Sequence, residues 1–250
     1  MPFITDWLKI KAIPAPAKVN AEQLVPQAIN TKTLIEDISK ELANTYLDPW
    51  EFRELFDSAG LGGVLEHLRK KHFPKDERTK KGNFGETLAL AWIRDAMGYE
   101  VPLVKRRWAM NRERSQHGED VIGFVFSDKG KDKLLLVEAK FYLEQVTKAI
   151  KVANSTITSA ITANECYSLH AILSLFQALN DIERYKRVKR MFDDYSGSHY
   201  EKAAGIFLVT VPKEWKETYF QKYAENNGLH TLNCWALVDK DIVDIYNSAH

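Results

Sequence analysis

The hydrophobic residues of this chain recur in two spacings, one typical of helices and one typical of strands. Residues 32–46 carry apolar side chains three and four positions apart, which would share one face of a helix: Leu34, Ile35, Ile38 and Leu42. Residues 205–211 and 232–238 are mostly apolar runs, as expected of strands buried on both faces of a sheet. Strands that alternate with helices predict an α/β fold.

Helical spacing predicts several further helices along the chain, over residues 49–56, 64–72, 87–97, 144–163, 167–192 and 213–226. Three glycines separate the first two of these helices, and residues 74–81 are expected to form a charged linker before the third. Residues 1–13 combine aromatic side chains with charges of both signs, so we expect an edge strand or a docking arm there.

Residues 134–142 form the most informative predicted strand, because an apolar run ends in two charged residues. Side chains alternate along a strand, so Glu138 and Lys140 project from the same face. Burying a carboxylate and an ammonium costs free energy unless they pair with each other or bind something charged. A structural ion pair and a functional site are the two interpretations of this pattern.

Two further carboxylates precede this strand at positions from which a fold could bring them near it. Asp120 begins an apolar run, and the polar, glycine-containing residues 127–133 predict a hairpin loop between that run and the next strand. Such a hairpin would place Asp120 close to Glu138. Glu86 is expected in the first turn of the helix over residues 87–97, where the helix dipole is an ordinary reason for an acidic residue.

The order of these elements is a helix with Glu86, a strand, a strand that begins with Asp120, and a strand with Glu138 and Lys140. This order resembles the PD-(D/E)XK restriction-endonuclease-like superfamily, although Glu119 stands where the superfamily's name has a proline. More narrowly, the motifs Gly-Asn-Phe-Gly-Glu, Gly-Glu-Asp and Val-Glu-Ala-Lys resemble the nuclease subunit of Hachiman-type antiphage defence systems.

The resemblance implies a fold and a domain organisation. The expected architecture is α/β, with a restriction-endonuclease-like mixed central sheet flanked by helices. A mainly helical N-terminal region, residues 1–80, would precede it and offer a surface for a partner. The nuclease-like domain would span residues 81–250, with its catalytic core at 82–164 and a sheet-completing part at 165–250.

The chemistry of phosphodiester hydrolysis gives a reason for these residue types. Mg²⁺ stabilises negative charge on phosphoryl oxygens and activates water, and proteins hold it with one or two carboxylates. The expected metal ligands are Asp120, Glu138 and the backbone carbonyl of Ala139, with Mn²⁺ able to substitute for Mg²⁺. Lys140 would orient or deprotonate the attacking water, and Glu86 would hold a metal-bound water or a second ion.

Composition adds little for or against nucleic acid, because 35 basic and 34 acidic residues leave a net charge of +1. Basic residues that flank the helix with Glu86 are candidates for phosphate contacts: Lys80, Lys81, Lys105, Arg106 and Arg107. The basic run 184–190 is interpreted as a solvated face. Two cysteines without metal-ligand spacing, and no apolar stretch that could span a bilayer, favour a cytoplasmic protein without a membrane partner.

Two functions remain open on these grounds. The first is a Mg²⁺-dependent deoxyribonuclease without a small-molecule cofactor. The Hachiman resemblance implies that it acts as the effector of a bacterial antiphage defence complex with a DExH-type helicase subunit. The second is a catalytically inactive restriction-like fold that serves as a nucleic-acid-binding or helicase-binding adaptor. The chain has a polar side chain at all four motif positions, namely Glu86, Asp120, Glu138 and Lys140. Their presence favours the nuclease, since an unpaired buried charge brings no stability.

Overall fold

The computed structural model of this chain describes residues 3–102, 119–163, 167–195, 199–225 and 231–250. Its strands are β1 (Leu8–Ala12), β2 (Val19–Pro26), β3 (Val121–Val125), β4 (Lys133–Phe141), β5 (Glu201–Thr210) and β6 (Leu232–Val238). Its helices are α1 (Phe3–Trp7), α2 (Thr31–Tyr46), α3 (Pro49–Lys71), α4 (Glu77–Ala91), α5 (Val146–Thr162), α6 (Tyr167–Ala178), α7 (Ile182–Asp193), α8 (Tyr219–Tyr223) and α9 (Ile242–Ala249). A π-helical turn, Trp92–Ala96, extends α4, and a 3₁₀ turn covers Pro212–Glu214.

The strands of the described ranges form one sheet in the order β1-β2-β6-β5-β4-β3. Its four inner strands run parallel to one another, while β1 and β3 pair antiparallel at the two edges. Parallel strands need crossover connections, and helices accordingly cover both faces of the sheet. This arrangement confirms the predicted α/β fold with a mixed central sheet flanked by helices.

The alternation of side chains along β4 decides which face of the sheet each residue reaches. Leu134 and Leu136 are buried in the core that also contains residues of α5, α6 and α7. Val137 is buried in the opposite core, which contains residues of α1, α2, α4 and α9. Because side chains alternate, Glu138 and Lys140 project from the α5 face of the strand.

The first 80 residues contribute strands as well as helices. The edge strand expected within residues 1–13 is present as β1, and β2 joins the sheet beside β6. The prediction contained no strand over Val19–Pro26, where polar residues and a terminal proline interrupt the apolar pattern. Both residues 1–80 and residues 165–250 therefore supply strands to the sheet around β4.

The expected boundaries of the helix that carries Glu86 were wrong. This helix, α4, begins at Glu77, and Asp76 caps it by accepting a hydrogen bond from the backbone N–H of Thr79 at 2.7 Å. Much of the predicted charged linker is therefore helical. Glu86 lies in the middle of the helix and not in its first turn, so the helix dipole does not account for it.

Two other predicted helices are interrupted. The long helix expected over residues 167–192 divides into α6 and α7, because Asn180 adopts a left-handed conformation (φ 55°) and Asp181 caps the second helix. The helix expected over residues 213–226 is reduced to the short α8. Trp215, which precedes α8, packs against Phe220 with ring centroids 5.3 Å apart.

The helices within the described ranges lack the combination of length and hydrophobicity that crossing a bilayer requires.

Candidate active site

Glu138 and Lys140 form an ion pair near the end of β4. The ammonium of Lys140 donates a hydrogen bond to Oε1 of Glu138. Only 9% of the Glu138 side chain and 19% of the Lys140 side chain are exposed, so water screens this pair weakly. The predicted common face of the two residues is therefore present, and the strand holds two opposite charges in a largely dry environment.

Asp120 completes this group from the neighbouring strand. Its backbone N–H donates to the carbonyl of Val137 at 3.1 Å, one residue before the β3 ladder begins at Val121. Its Oδ2 accepts a hydrogen bond from the backbone N–H of Ala139 at 2.8 Å. The carboxylate thus takes the place of a β3 carbonyl at the point where the ladder ends, and it lies beside Glu138.

The carbonyl of Ala139 faces the same edge of β4 as Asp120. In an antiparallel pair the N–H and C=O of one residue point toward the same neighbouring strand. Since the N–H of Ala139 reaches the Asp120 carboxylate, its carbonyl points to the same side. Two carboxylates and one carbonyl are therefore available along a short segment of the β3–β4 edge.

The pKa of Lys140 reports how close the two acids lie to its ammonium. Burial alone would lower this pKa, but attraction to Glu138 and to Asp120, together with the hydrogen bond to Glu138, raises it above its ordinary value. Lys140 is therefore positively charged at neutral pH. In this form it can donate to an anionic oxygen or orient a water molecule.

Gly85 brings α4 against the end of β4. A Cβ added to Gly85 would lie 3.2 Å from Cβ of Phe141 and 3.4 Å from its backbone nitrogen, which is tighter than ordinary packing. The ring of Phe84, one residue earlier, packs on the ring of Phe141 with centroids 5.6 Å apart. The absence of a side chain at Gly85 thus allows this helix to carry Glu86 close to the strand.

Glu86 approaches the site from the other face of the sheet. It is half-buried on α4, whose apolar residues pack into the core opposite to α5. All three carboxylates, those of Glu86, Asp120 and Glu138, lie within the described residues. Their oxygens do not all approach one another within 4.8 Å. The structure therefore brings Asp120, Glu138 and Lys140 together at the strand edge, and Glu86 lies on α4, which packs on the opposite face of the sheet.

Glu119 has a separate role in holding the start of β3. It is only 8% exposed, and its Oε2 accepts a hydrogen bond from the hydroxyl of Ser168 on α6 at 2.6 Å. This contact ties the residue before Asp120 to a helix on the α5 face. Sequence reasoning did not identify Ser168, because no local pattern links residues 49 positions apart.

The basic residues proposed for phosphate contacts are only partly within the described ranges. Lys80 pairs with Glu77 on the same helix at 2.8 Å, and Lys81 is half-buried beside it. The predictions for Lys105, Arg106 and Arg107 lie outside the described residues.

The interpretation of residues 184–190 as a solvated face fits only in part. Arg184 pairs with Glu100 at 2.9 Å, but the side chain of Arg187 is 17% exposed and lies 3.7 Å from Asp132. These two arginines have acidic neighbours within the protein.

The donor set at the β3–β4 edge matches the chemistry of a hard divalent cation. Mg²⁺ prefers oxygen ligands and is usually held by one or two carboxylates, the remaining positions being filled by water and phosphate. Asp120 and Glu138 are like charges close to the same ammonium, an arrangement that a cation between them would stabilise. These residues therefore fit a Mg²⁺ or Mn²⁺ site.

Comparison with known proteins agrees with the motif resemblance. The relative named Hachiman protein HamA, from Bacillus cereus, is 29% identical over 98 residues, which are 39% of this chain and 34% of that protein. The chain thus matches about a third of the length of this relative. The family model described as HamA matches residues 2–242, nearly the whole chain. The resemblance inferred from the motifs is confirmed, and the chain belongs to the HamA family.

Proposed function

We propose that this protein is a metal-dependent nuclease that hydrolyses phosphodiester bonds of DNA. One observation carries the proposal, namely the meeting of Asp120, Glu138 and Lys140 at one edge of the sheet. Such hydrolysis requires two carboxylates that can bind a metal ion and one side-chain ammonium. These groups are needed because negative charge develops on the phosphoryl oxygens.

Each residue has a distinct role in this proposal. Asp120, Glu138 and the Ala139 carbonyl would hold Mg²⁺, which would act as a Lewis acid on the phosphoryl oxygens. The backbone hydrogen bond from Ala139 keeps the Asp120 carboxylate oriented along the strand edge. Lys140, held by Glu138, donates to the attacking water or to a phosphoryl oxygen. Glu86 orients a water molecule or holds a second cation at the margin of the site.

Membership of the HamA family supports a role in antiphage defence, since the curated relative is named as a Hachiman protein. The proposed role is that of the DNA-cleaving effector, acting with a DExH-type helicase subunit that controls access to DNA. Residues 1–80 are the proposed docking region. Among the described residues of this region, three large apolar side chains are exposed: Trp50 at 71%, Ile10 on the edge strand at 55% and Phe56 at 37%.

The test is cleavage of plasmid and linear DNA with Mg²⁺, with and without the helicase subunit. Glu138→Gln keeps the size of the side chain and removes its charge, so cleavage should be lost. The chain contains a second Glu-x-Lys sequence, Glu214-Trp215-Lys216, at and just after the 3₁₀ turn. Glu214→Gln makes the same change there, so this matched control should cleave like wild type. Cleavage that persists in excess chelator, or in Glu138→Gln, would overturn the proposal.

A second candidate function is an inactive adaptor that binds nucleic acid or the helicase. The ion pair between Glu138 and Lys140 favours it, because the two charges satisfy each other without any ligand. The adaptor would bind DNA or the helicase and leave DNA intact in Mg²⁺ and in Mn²⁺, whether or not the partner is present. Glu138→Gln would then lower stability, because it leaves Lys140 without its partner, and neither wild type nor the variant would cleave DNA.

A further inference from the structure

A second set of metal-ligand side chains lies on α3, an element that carries none of the groups at the β3–β4 edge. Glu51, His67 and His72 each present one ligand atom, and these three atoms lie within 4.8 Å of one another. Among the residues that the structure describes, no other group of three His, Cys, Asp or Glu side chains comes this close together. We propose that Glu51, His67 and His72 bind one divalent transition-metal ion, with Zn²⁺ as the best match.

A break in α3 brings these residues together. In an unbroken helix, Glu51 and His67 would be separated by about 24 Å along the axis, at 1.5 Å per residue. Gly60 interrupts the helix with a backbone conformation (φ 65°, ψ −175°) that residues with a side chain rarely adopt. At Gly63 an added Cβ would lie 2.2 Å from Cβ of Ala59, so this turn also requires glycine there. The two halves of α3 are therefore folded so that their ligands meet.

The imidazole of His67 lacks a hydrogen-bond partner on the side that faces Glu51. Its Nε2 is buried without a hydrogen bond, and the nearby carboxylate oxygen of Glu51 is 3.6 Å away, beyond hydrogen-bonding distance. Burial of this nitrogen without a partner costs stability, because its hydrogen bond to water is lost and not replaced. A cation between the nitrogen and the oxygen would satisfy both atoms.

The geometry of the two rings suits a shared ion. The centroids of the His67 and His72 rings are 5.4 Å apart, and the rings are inclined by 34°. Ligand atoms around a tetrahedral Zn²⁺ are about 3.3 Å apart, so side-chain movements of about 1 Å would close the site. His72 lies at the end of α3, where such a movement does not disturb the helix interior.

The choice of ion follows from the ligand types. Two imidazole nitrogens and one carboxylate oxygen are typical of Zn²⁺, whereas Mg²⁺ requires oxygen ligands almost throughout. Three protein ligands leave a fourth position for water. The bound ion would hold the halves of α3 together and thereby stabilise the segment that presents the exposed Trp50.

Zinc binding by the full chain tests this inference. After removal of metals by chelation, excess Mg²⁺ is added to occupy any oxygen-ligand site, and Zn²⁺ is titrated by calorimetry and by thermal unfolding. Wild type should bind one Zn²⁺ and gain about 5 °C or more in Tm at a hundredfold excess over Kd. Glu51→Gln and His67→Gln should weaken binding at least about tenfold, since each removes one of three ligands.

The matched control is His199→Gln, which removes the exposed histidine that lies 3.3 Å from Asp194 and should bind Zn²⁺ like wild type. Asp120→Asn should also keep the zinc effect, so that failure of the nuclease proposal and failure of this one are distinguishable. Should His67→Gln fold poorly, Co²⁺ bound to wild type and to Glu51→Gln provides a second measurement. Tetrahedral Co²⁺ absorbs visible light strongly, and octahedral Co²⁺ absorbs it weakly.

Strong Co²⁺ absorption in wild type that disappears in Glu51→Gln would support the site. The inference is overturned if wild type binds no Zn²⁺, or if binding persists in both Glu51→Gln and His67→Gln. It is also overturned if the zinc effect disappears in Asp120→Asn. In each of these cases, Glu51 and His67 form an ordinary ion pair.

Discussion

The Asp120 carboxylate accepts a hydrogen bond from the backbone N–H of Ala139 at 2.8 Å, and this contact joins the start of β3 to the charged end of β4. It uses one oxygen of a carboxylate that also lies beside Glu138 and Lys140. One side chain thus has a structural role and a proposed catalytic role, and these roles can be separated by substitution.

Two substitutions at Asp120 should have equal effects on cleavage and unequal effects on stability. Asp120→Asn can still accept the hydrogen bond from Ala139, whereas Asp120→Ala leaves that N–H without its acceptor. We expect Asp120→Ala to lower the free energy of unfolding by about 1–3 kcal/mol more than Asp120→Asn does. Urea unfolding measures this difference, and a DNA cleavage assay should show both variants inactive. Equal stability of the two variants would contradict the structural role.

Lys140→Met should reduce cleavage while leaving the oxygen ligands in place. The loss of a group that donates to water or to phosphate lowers a rate by about two to four orders of magnitude. Single-turnover cleavage rates at saturating Mg²⁺ measure this effect, with Lys216→Met in the second Glu-x-Lys sequence as the control. Full activity of Lys140→Met together with lower stability would mean that Lys140 only neutralises Glu138.

Glu86→Gln should have a smaller effect than Glu138→Gln, because Glu138 belongs to the group at the strand edge, whereas Glu86 lies on α4. We expect cleavage to fall by roughly tenfold if Glu86 orients a single water molecule. Titration of activity with Mg²⁺ gives a second readout, since loss of a second ion would change the steepness of the curve. A loss as complete as that in Glu138→Gln would place Glu86 among the direct metal ligands.

Gly85→Ala should weaken the contact between α4 and β4. The new methyl group would meet Phe141 at 3.2 Å, so the helix or the strand must shift. We expect the free energy of unfolding to fall by about 1–3 kcal/mol. Cleavage should also decrease, because Glu86 is displaced. The control is Gly82→Ala on the same helix, where an added Cβ has no neighbour within 4 Å. This control should unfold at the same free energy as wild type or a higher one, because alanine has a higher helix propensity than glycine.

Asp239→Asn should stabilise the protein at neutral pH. Burial raises the pKa of Asp239, and the hydrogen bond from the backbone N–H of Asp241 opposes this only in part. A carboxyl whose pKa is higher in the folded than in the unfolded chain lowers stability as the pH rises from the unfolded value, near 3.8, through the folded value. The penalty therefore grows as the pH rises above the unfolded value and disappears in acid.

The asparagine can still accept from Asp241 and carries no charge at any pH. The gain in Tm over wild type should therefore grow between pH 4 and pH 7, as thermal unfolding at each pH will measure. Asp57→Asn, at an exposed position of α3, is the control and should show no such growth. A gain that is independent of pH would contradict the assignment of the penalty to the Asp239 charge.

The local pattern of the sequence by itself determined the strands at the centre of the fold and the common face of Glu138 and Lys140. Strand periodicity depends only on neighbouring residues, and continuous apolar runs occur where a strand is covered on both faces. The same reasoning located α2 and β6 almost to the residue. It also identified the three motifs whose family resemblance is confirmed by the HamA match.

Only the tertiary structure decided how distant segments combine. The approach of Gly85 to Phe141 and the pairing of β2 with β6 each depend on packing that local propensity does not contain. The same holds for the group of Glu51, His67 and His72, which exists because a glycine turn folds α3 back on itself. Contacts between residues far apart in sequence are set by burial and close packing, so their chemistry becomes visible only in the folded chain.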